Sequence, residues 1–298
     1  VKPRSGSVIS ATRKSTLQTT LDDRSIVSVE TEFVDATYLY INPAITVRYD
    51  PKTTSLSASE LNTKVQNSLI SYENNNLGTF DNKFYVSNLT ETLKAADNSL
   101  VSADVAFTIE KRFVPTTNAI NTYQLQFNNA IHHPHDGHLG AVSSTGFTIG
   151  GETVYLEDDG VGNLRTFILV TGNKIARNNS FGTVDYESGL VTIFNTSITA
   201  YEGSAISVKV KPKESNIFGV RNEILLVSGA SVTTVDNDTN NTTSTVGSIG
   251  TDGTTTTVLT DNAIANFGVS AVATLSKSSS GSTTVGTTTT SSISGSSY

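Results

Sequence analysis

Histidines provide the clearest chemical signal in the sequence, because all four of them lie between positions 132 and 138. The segment reads Asn-Ala-Ile-His-His-Pro-His-Asp-Gly-His from position 129. Neutral imidazoles and a carboxylate at this density can bind zinc, nickel or iron, and the candidate ligands are His133, His135 and His138. The spacing matches no defined zinc motif, so the alternative is a surface loop whose histidines form hydrogen bonds or pack at a subunit interface.

A group of side-chain oxygens is a second metal candidate. Calcium prefers such ligands, but the spacing of this group does not fit the EF-hand loop. A polar hairpin turn is therefore the favoured interpretation. The group consists of Glu157, Asp158, Asp159 and Asn163.

Asp185 and Glu187 flank a turn and have the spacing of a candidate carboxylate pair for glycoside hydrolysis. Carboxylates in such a position are usually just solvated. The sequence contains neither a glycine-rich phosphate loop after a strand nor a nucleophile elbow. We therefore predict that the protein is not an enzyme and has no cofactor, unless a metal binds the 132–138 loop.

Composition narrows the function classes further. The chain has 298 residues, a net charge of −7 and an isoelectric point near 5.1, so nucleic acid and anionic membranes are not expected partners. No apolar run approaches the roughly 18 residues that a membrane span needs. The absence of cysteine excludes disulfides and thiolate metal sites. The absence of methionine predicts that the chain is part of a longer gene product.

Residues 33–49 organise the first part of the chain. Aromatic and β-branched residues alternate with polar ones there, which is typical of a strand. Asn42-Pro43 interrupts the pattern, and because proline cannot donate to a sheet ladder we predict a bulge, an edge position or a break. Tyr38 and Tyr40 are interpreted as packing on the face of the sheet.

Two helices are predicted after this strand. The first starts at Ser57, which forms a capping box with Glu60, and it ends before Gly78. The second is predicted to start near Asn88, with Glu91 three residues later. The apolar face of the first helix consists of Leu61, Val65, Leu69 and Tyr72.

These elements define the predicted domains. Residues 1–14 form a leading segment, and 15–115 form an α+β module with a short helix at 15–24, a strand at 100–114 and helices covering one side of the sheet. Short strands and turns from 116 to 228 predict a mainly antiparallel β-domain, rich in hairpins, whose last strand at 217–227 pairs back to an earlier sheet.

The segment 229–298 is different, because Ser, Thr and Gly dominate it. We predict that this tail is β or extended, with strands near 254–260 and 269–275, and that partner chains order it. The predicted fold class is therefore α+β: a two-layer α/β module, a mainly antiparallel β-domain and a Ser/Thr/Gly-rich tail.

Three segments carry a family resemblance: Ala-Thr-Arg-Lys-Ser-Thr-Leu at 11–17, the run at 26–41, and the helix at 57–72, entered from Val47-Arg48-Tyr49. Together they resemble the baseplate wedge proteins of T-even-type contractile-tailed bacteriophages and, more broadly, the J-like baseplate family. The hairpin at 182–189 is similar to a type common in phage tail proteins. The resemblance extends over about residues 10–228 and does not include the tail.

The resemblance implies a structural protein of the virion tail baseplate, assembled in the host cytoplasm. The chain is then the C-terminal portion of a wedge subunit. It is expected to pair with itself as a homodimer within a ring of wedges and to bind other wedge and hub proteins. Rearrangement of the ring between two packings is expected to trigger sheath contraction.

Two other function classes stay open. A receptor-binding or adhesive tail-fibre or surface protein fits the Ser/Thr-rich tail and the hairpins, but fits the early capped helices less well. A polysaccharide-degrading tailspike is disfavoured by the absence of tryptophan and of a regular β-helix repeat.

Overall fold

The computed structural model describes residues 9–24, 33–133 and 140–237, together with the backbone of strands at 243–249, 255–261, 271–277 and 283–289. Within these residues the chain forms three helices and nineteen strands, and seventeen of the strands are joined in one mixed sheet. The fold is mostly β, and it agrees with the predicted α+β class in broad terms. No helix within the described part of the chain is long and apolar enough to cross a membrane.

Helix α1 (Ala11–Asp22) lies outside the core. Ser10 caps it by accepting a hydrogen bond from Arg13 N at 3.4 Å, so the helix begins earlier than the predicted 15–24. None of its residues is buried. A salt bridge connects it to the residues before the sheet, with 2.5 Å between Lys14 Nζ and Asp35 Oδ2.

Strand β1 (Thr37–Tyr49) is the centre of the α+β module. It runs through Asn42-Pro43 as one strand, so the predicted alternative of a break between two strands is wrong, but its pairing along one edge is interrupted at these residues. One edge of β1 pairs antiparallel with β3 (Leu100–Phe113). The other edge pairs in parallel with β14 (Glu223–Val227) along residues 37–41 and with β15 (Ser231–Asp236) along residues 44–49.

The change of partner from β14 to β15 explains why Pro43 is tolerated. Ile41 O accepts a hydrogen bond from Ser228 N at 2.8 Å, so the odd-numbered residues of β1 direct their backbone groups towards the β14/β15 edge. Pro43 lies between the two stretches that pair with these strands. Its missing N–H therefore faces a gap in the ladder, where no donor is required.

Helix α2 (Ala58–Asn76) covers one face of this sheet. The predicted capping box is present, because Glu60 Oε2 accepts from Ser57 N at 2.8 Å and Ser57 Oγ accepts from Glu60 N at 3.3 Å. The predicted apolar face is also confirmed. All four of its side chains are buried: Leu61, Val65, Leu69 and Tyr72.

Helix α3 (Val86–Lys94) packs beside α2 and against β3. Its N-cap residue is Tyr85, which makes no side-chain cap hydrogen bond, so the predicted start near Asn88 is wrong. The position of this helix is fixed by the burial of Leu89 and Leu93, and not by a cap. Both side chains are fully inaccessible to solvent.

The predicted β-domain consists of short strands with mainly antiparallel pairing. Turns at Gly150-Gly151, with φ of 58° and 87°, and before Gly189 close two of its hairpins. Its strands are β4 (Ile120–Gln126), β5 (Val142–Ser144), β6 (Phe147–Ile149), β7 (Glu152–Asp158), β8 (Asn163–Val170), β9 (Asn173–Asp185), β10 (Leu190–Ser197), β11 (Ala200–Tyr201) and β12 (Ile206–Val210).

The predicted strand at 217–227 is two strands. Strand β13 (Asn216–Phe218) forms a ribbon with β2 (Lys83–Tyr85), whereas β14 pairs with β1. The prediction of one continuous strand is therefore wrong, and the prediction that it pairs back to an earlier sheet is confirmed.

Beyond residue 229, β15 completes the sheet of the α+β module, and its Val232 and Thr234 are fully buried. The two predicted tail strands correspond to β17 (Thr255–Asp261) and β18 (Ala271–Lys277). They pair with each other and with β16 (Thr243–Ile249) and β19 (Thr283–Thr289), while β16 joins β15. Ordering of the tail by partner chains stays a prediction.

One hydrophobic cluster joins the α+β module to the β-domain. It contains Leu39 and Ile41 of β1, Leu61 of α2, and Val208 and Val210 of β12. The two regions therefore share a core, and the β-domain holds β3 in place from the side opposite β1.

Candidate assembly site

The structure places His132 and His133 before the central part of the predicted metal loop, while His135 and His138 lie outside the described residues. His133 Nε2 lies 3.1 Å from Gly160 O, and the His133 ring packs on the Tyr186 ring with 4.4 Å between centroids. No group of three or more metal-ligating side chains was found in the part of the chain that the structure describes. His133 thus has the contacts of a packed loop residue, and metal binding stays a prediction.

Asp158 acts as a structural acceptor below this loop. Its side chain is fully buried, and Oδ1 accepts hydrogen bonds from Ala141 N at 3.0 Å and Val142 N at 2.9 Å. Its Oδ2 accepts from Tyr186 Oη at 2.8 Å. Burial, together with the hydrogen bond and the charge of Asp158, raises the pKa of Tyr186. Both oxygens of Asp158 are therefore already used within the fold.

The other acidic candidates are also engaged within the chain. The Glu157 carboxylate contacts Arg165 Nε at 3.0 Å and Lys174 Nζ at 2.7 Å. Asp159 accepts hydrogen bonds from the backbone of the turn that follows it, and Asp185 does the same in the hairpin of β9 and β10. These contacts favour the hairpin-turn interpretation over calcium binding or glycoside hydrolysis.

A groove runs along the face of β1 and β3 that is opposite the helices. The odd-numbered side chains of β1 pack in the core with α2, so the even-numbered ones point to the other face. Pairing between β1 and β3 stops at Tyr40 and Glu110. Beyond this pair the two strands separate and leave a cavity of about 630 Å³.

Aromatic and cationic side chains line this wide part of the groove. The Tyr38 and Tyr40 rings are stacked with 6.3 Å between centroids, and the Arg112 guanidinium lies 3.8 Å from the Tyr40 centroid. Burial raises the pKa of Tyr38, and the neighbouring Tyr40 and Asp35 add to the effect. The two tyrosines therefore form the wall of a groove, a role that was not predicted for them.

Buried carboxylates hold the cations of this wall. Lys111 Nζ lies 2.6 Å from Glu223 Oε1, and Glu223 is fully buried. Arg112 Nε donates to Glu110 Oε1, while its Nη2 donates to Ser228 Oγ at 2.7 Å. These contacts connect β3 to β14 and to the link after it, so the groove wall is pre-organised.

Arg112 also lines a second, narrower cavity of about 330 Å³, which continues the groove between β1, β3, β12 and residues 202–205. Asn42 lies in its lining, together with Glu110 and Ser207, whose Oγ donates to Glu110 Oε1 at 2.8 Å. The groove thus has an aromatic half around Tyr38 and Tyr40 and a polar half around Asn42.

The outer surface of α2 is a further candidate for contact with another protein. From 67 to 76 its exposed side chains carry no formal charge, and Ile70 is 46% exposed. Depletion of charge is a property of interface cores. The exposed residues of this surface are Asn67, Ile70, Ser71, Asn74, Asn75 and Asn76.

Comparison with family models gives a match to the segment that carries α2 and one part of the groove lining. Residues 37–112 match the model of baseplate structural protein gp6, C-terminal domain III. This segment is similar to a baseplate structural domain. Comparison with curated proteins gave no match.

The predicted resemblance to baseplate wedge proteins is confirmed for these residues. The gp6 match begins at the first residue of β1 and ends within β3, and it includes Tyr38, Tyr40, Asn42 and Arg112. It supports a structural role in the virion, in a phage tail baseplate and in contact with other baseplate proteins. The matched family is a structural one, which agrees with the prediction that the protein is not an enzyme.

Proposed function

We propose that the protein is a structural subunit of a phage tail baseplate wedge. It forms inter-subunit contacts in the ring around the hub, and it helps to transmit the rearrangement that triggers sheath contraction. The observation that carries the proposal is the gp6 match over residues 37–112.

The groove supports the proposed contacts, because its aromatic half has the composition of an interface centre. Tyrosine and arginine are enriched among the residues that contribute most to protein–protein binding, and Tyr38, Tyr40 and Arg112 lie together here. The proposed partners are a second copy of the chain, as a homodimer within the ring, and other wedge and hub proteins. Assembly is proposed to take place in the host cytoplasm.

The sheet supports the proposed transmission of movement. Strand β1 pairs along both of its edges, and the buried pairs of Lys111 and Arg112 connect β3 to β14 and its link. A displacement applied at the groove is therefore expected to move β1, β3 and β14 as one body, since packed sheets do not deform continuously.

Imaging of intact particles tests the proposal. The chain, labelled by a fused tag, is expected in a ring at the tail end. Density at a fibre tip would instead favour the receptor-binding alternative and would contradict the wedge proposal.

A pair of variants sharpens this test. Tyr38→Ala removes one ring of the groove wall, so incorporation of the chain into particles is expected to fall about tenfold, which corresponds to about 1.4 kcal/mol of binding free energy. Val161→Ala truncates a side chain that is 58% exposed outside the groove and is expected to be incorporated normally. Equal incorporation of both variants would contradict a role for the groove in assembly.

A further inference from the structure

Asn42 carries a buried side-chain amide without a partner. The residue is 8% exposed, and neither Oδ1 nor Nδ2 has a hydrogen-bond partner among the described residues. Buried polar atoms are nearly always hydrogen-bonded, so each exception requires an explanation. Here one donor and one acceptor, side by side on the same group, both lack a partner.

The polar half of the groove indicates the chemistry of the missing partner. Its charges sum to zero, because the lining contains two carboxylates, Glu110 and Glu202, and two cations, Arg112 and Lys209. Glu110 contacts Arg112 Nε and, at 3.8 Å, Lys209 Nζ, while Glu202 Oε2 accepts a hydrogen bond from Gly146 N at 3.1 Å. A ligand for this cavity therefore needs no net charge. This argues against a free phosphate, a metal ion or an acidic side chain.

The shape of the cavity also favours an uncharged ligand that is slender. Residues 203–205 and the pair 228–229 contribute only Gly, Ser and Ala side chains, which leave room for a close approach of another backbone. No aromatic ring lines this half among the described residues, so the stacking platform that sugars commonly use is missing. A slender, neutral ligand with hydrogen-bonding groups fits this lining best.

Gly229 covers the amide of Asn42. Its φ is +60°, and a Cβ at this position would lie 2.8 Å from Asn42 Oδ1. Residues 228–230 link β14 to β15 on the edge of β1 where Pro43 has no N–H to donate. The absence of a side chain at position 229 therefore leaves space beside the amide oxygen.

We propose that the polar half of the groove is a receptor for an extended, uncharged polypeptide segment of a neighbouring subunit. One residue of that segment pairs with Asn42: its backbone N–H donates to Oδ1, and its backbone C=O accepts from Nδ2. A residue in extended conformation presents both groups on the same edge, which matches the two orphaned atoms. The inference rests on the proposed wedge function, since the baseplate supplies the neighbouring subunit.

Asn42→Leu tests the receptor, because leucine has a similar shape but no polar atoms. Removing an unsatisfied buried amide is expected to raise the melting temperature of the isolated full chain by about 2–4 °C. Incorporation of the variant into particles is expected to fall about tenfold. Asn173→Leu, at an exposed position of β9, is the matched control and is expected to leave both measurements unchanged.

Two results would overturn the receptor. A melting temperature that falls for Asn42→Leu would show that the amide has a good partner in the isolated chain, such as a bound water. High-resolution imaging of the particle that finds the chain in the baseplate ring, with no neighbouring backbone at Asn42, would remove the receptor and leave the wedge function intact. Density at a fibre tip would instead contradict the wedge function itself.

Discussion

The residues around Glu110 stabilise its negative charge, which is buried. It is 2% exposed, and Arg112 is its closest cation. Arg112→Ala removes this cation and leaves the buried carboxylate with Lys209 and the Ser207 hydroxyl as its partners among the described residues, so we expect the free energy of unfolding to fall by about 3 kcal/mol. Urea denaturation monitored by circular dichroism measures the loss.

The matched control for this variant is Arg177→Ala. Arg177 forms a two-bond ion pair with Glu152, and the two side chains are 40% and 54% exposed. An exposed pair contributes less than about 1 kcal/mol. Similar losses for the two variants would contradict the importance of burial at Glu110.

Glu73 is expected to respond to pH in the opposite direction from most carboxylates. Its Oε1 accepts a hydrogen bond from Val227 N at 2.9 Å, but burial raises its pKa above the usual 4.5. A raised pKa means that the fold disfavours the charged form, so the stability from this group is largest at low pH and falls as pH rises through the folded pKa. Glu73→Gln keeps the acceptor and is expected to stabilise the protein at pH 7, with the gain shrinking as pH falls through the raised folded pKa and disappearing below the unfolded value of 4.5.

Glu60→Gln provides the opposite case for the same measurement. Hydrogen bonds from the Ser57 backbone and hydroxyl lower the pKa of Glu60, so its contribution is present above the unfolded value and is lost as pH falls through the folded pKa. We expect this variant to lower the urea midpoint at pH 7 and to have no effect at low pH. Parallel pH dependence of the two variants would disprove the assignment.

At the scale of elements, the link between β14 and β15 leaves little room for a side chain at position 229. Gly229→Ala introduces a Cβ against Asn42 Oδ1 and also strains a positive φ. Gly203→Ala has a similar φ of +71° but open space around the Cβ, so it isolates the cost of strain alone. We expect the first variant to lose at least about 1 kcal/mol more than the second in thermal unfolding. Equal losses of stability in the two variants would mean that the link moves to accommodate the added Cβ without a further cost.

Local chemistry determined which elements could be predicted from the sequence. Helix α2 was predicted well because its cap and apolar face lie within its own residues, at Ser57, Glu60 and the positions that follow. Helix α3 lacks a side-chain cap, so its start depends on the burial of Leu89 and Leu93 against other elements. The sequence could not decide among a bulge, an edge position and a break at Pro43, because the gap that accommodates this residue is formed by strands far away in the sequence.

The groove could not be predicted from the sequence for a related reason. Alternation in β1 shows that Tyr38 and Tyr40 share a face, but it does not show that this face is left uncovered. That outcome depends on the separation of β1 from β3 after Glu110 and on the position of β12. The histidine cluster could be recognised from its spacing in the sequence. Spacing does not determine the three-dimensional arrangement of the histidine side chains, so a metal site could not be predicted from it.

At the scale of the whole molecule, the end of the folded unit can be tested by truncation. A chain that stops after Gly229 loses β15 with its buried Val232 and Thr234, and leaves residues 44–49 of β1 without their parallel partner. We expect it to lose cooperative thermal unfolding. A chain that stops after Asn237 keeps β15 and the hydrogen bond from Asn237 N to Tyr49 O at 2.8 Å, and is expected to unfold cooperatively.

Identical melting curves for the two truncated chains would show that β15 is dispensable.

The sequence placed the boundary at 229 because Ser, Thr and Gly increase there. The polar composition of β15 hides its role, since half of its side chains are buried by the elements around it, which include β1 and α2.

The parallel pairing of β1 with β14 has a consequence for biosynthesis. Thr37 bonds to Asn222, 185 positions later in the chain. At about 5–20 residues per second, the ribosome needs roughly 10–40 s to supply that partner. During this interval the nascent chain exposes an unpaired strand edge, so its folding is expected to depend on chaperones more than its size alone would require.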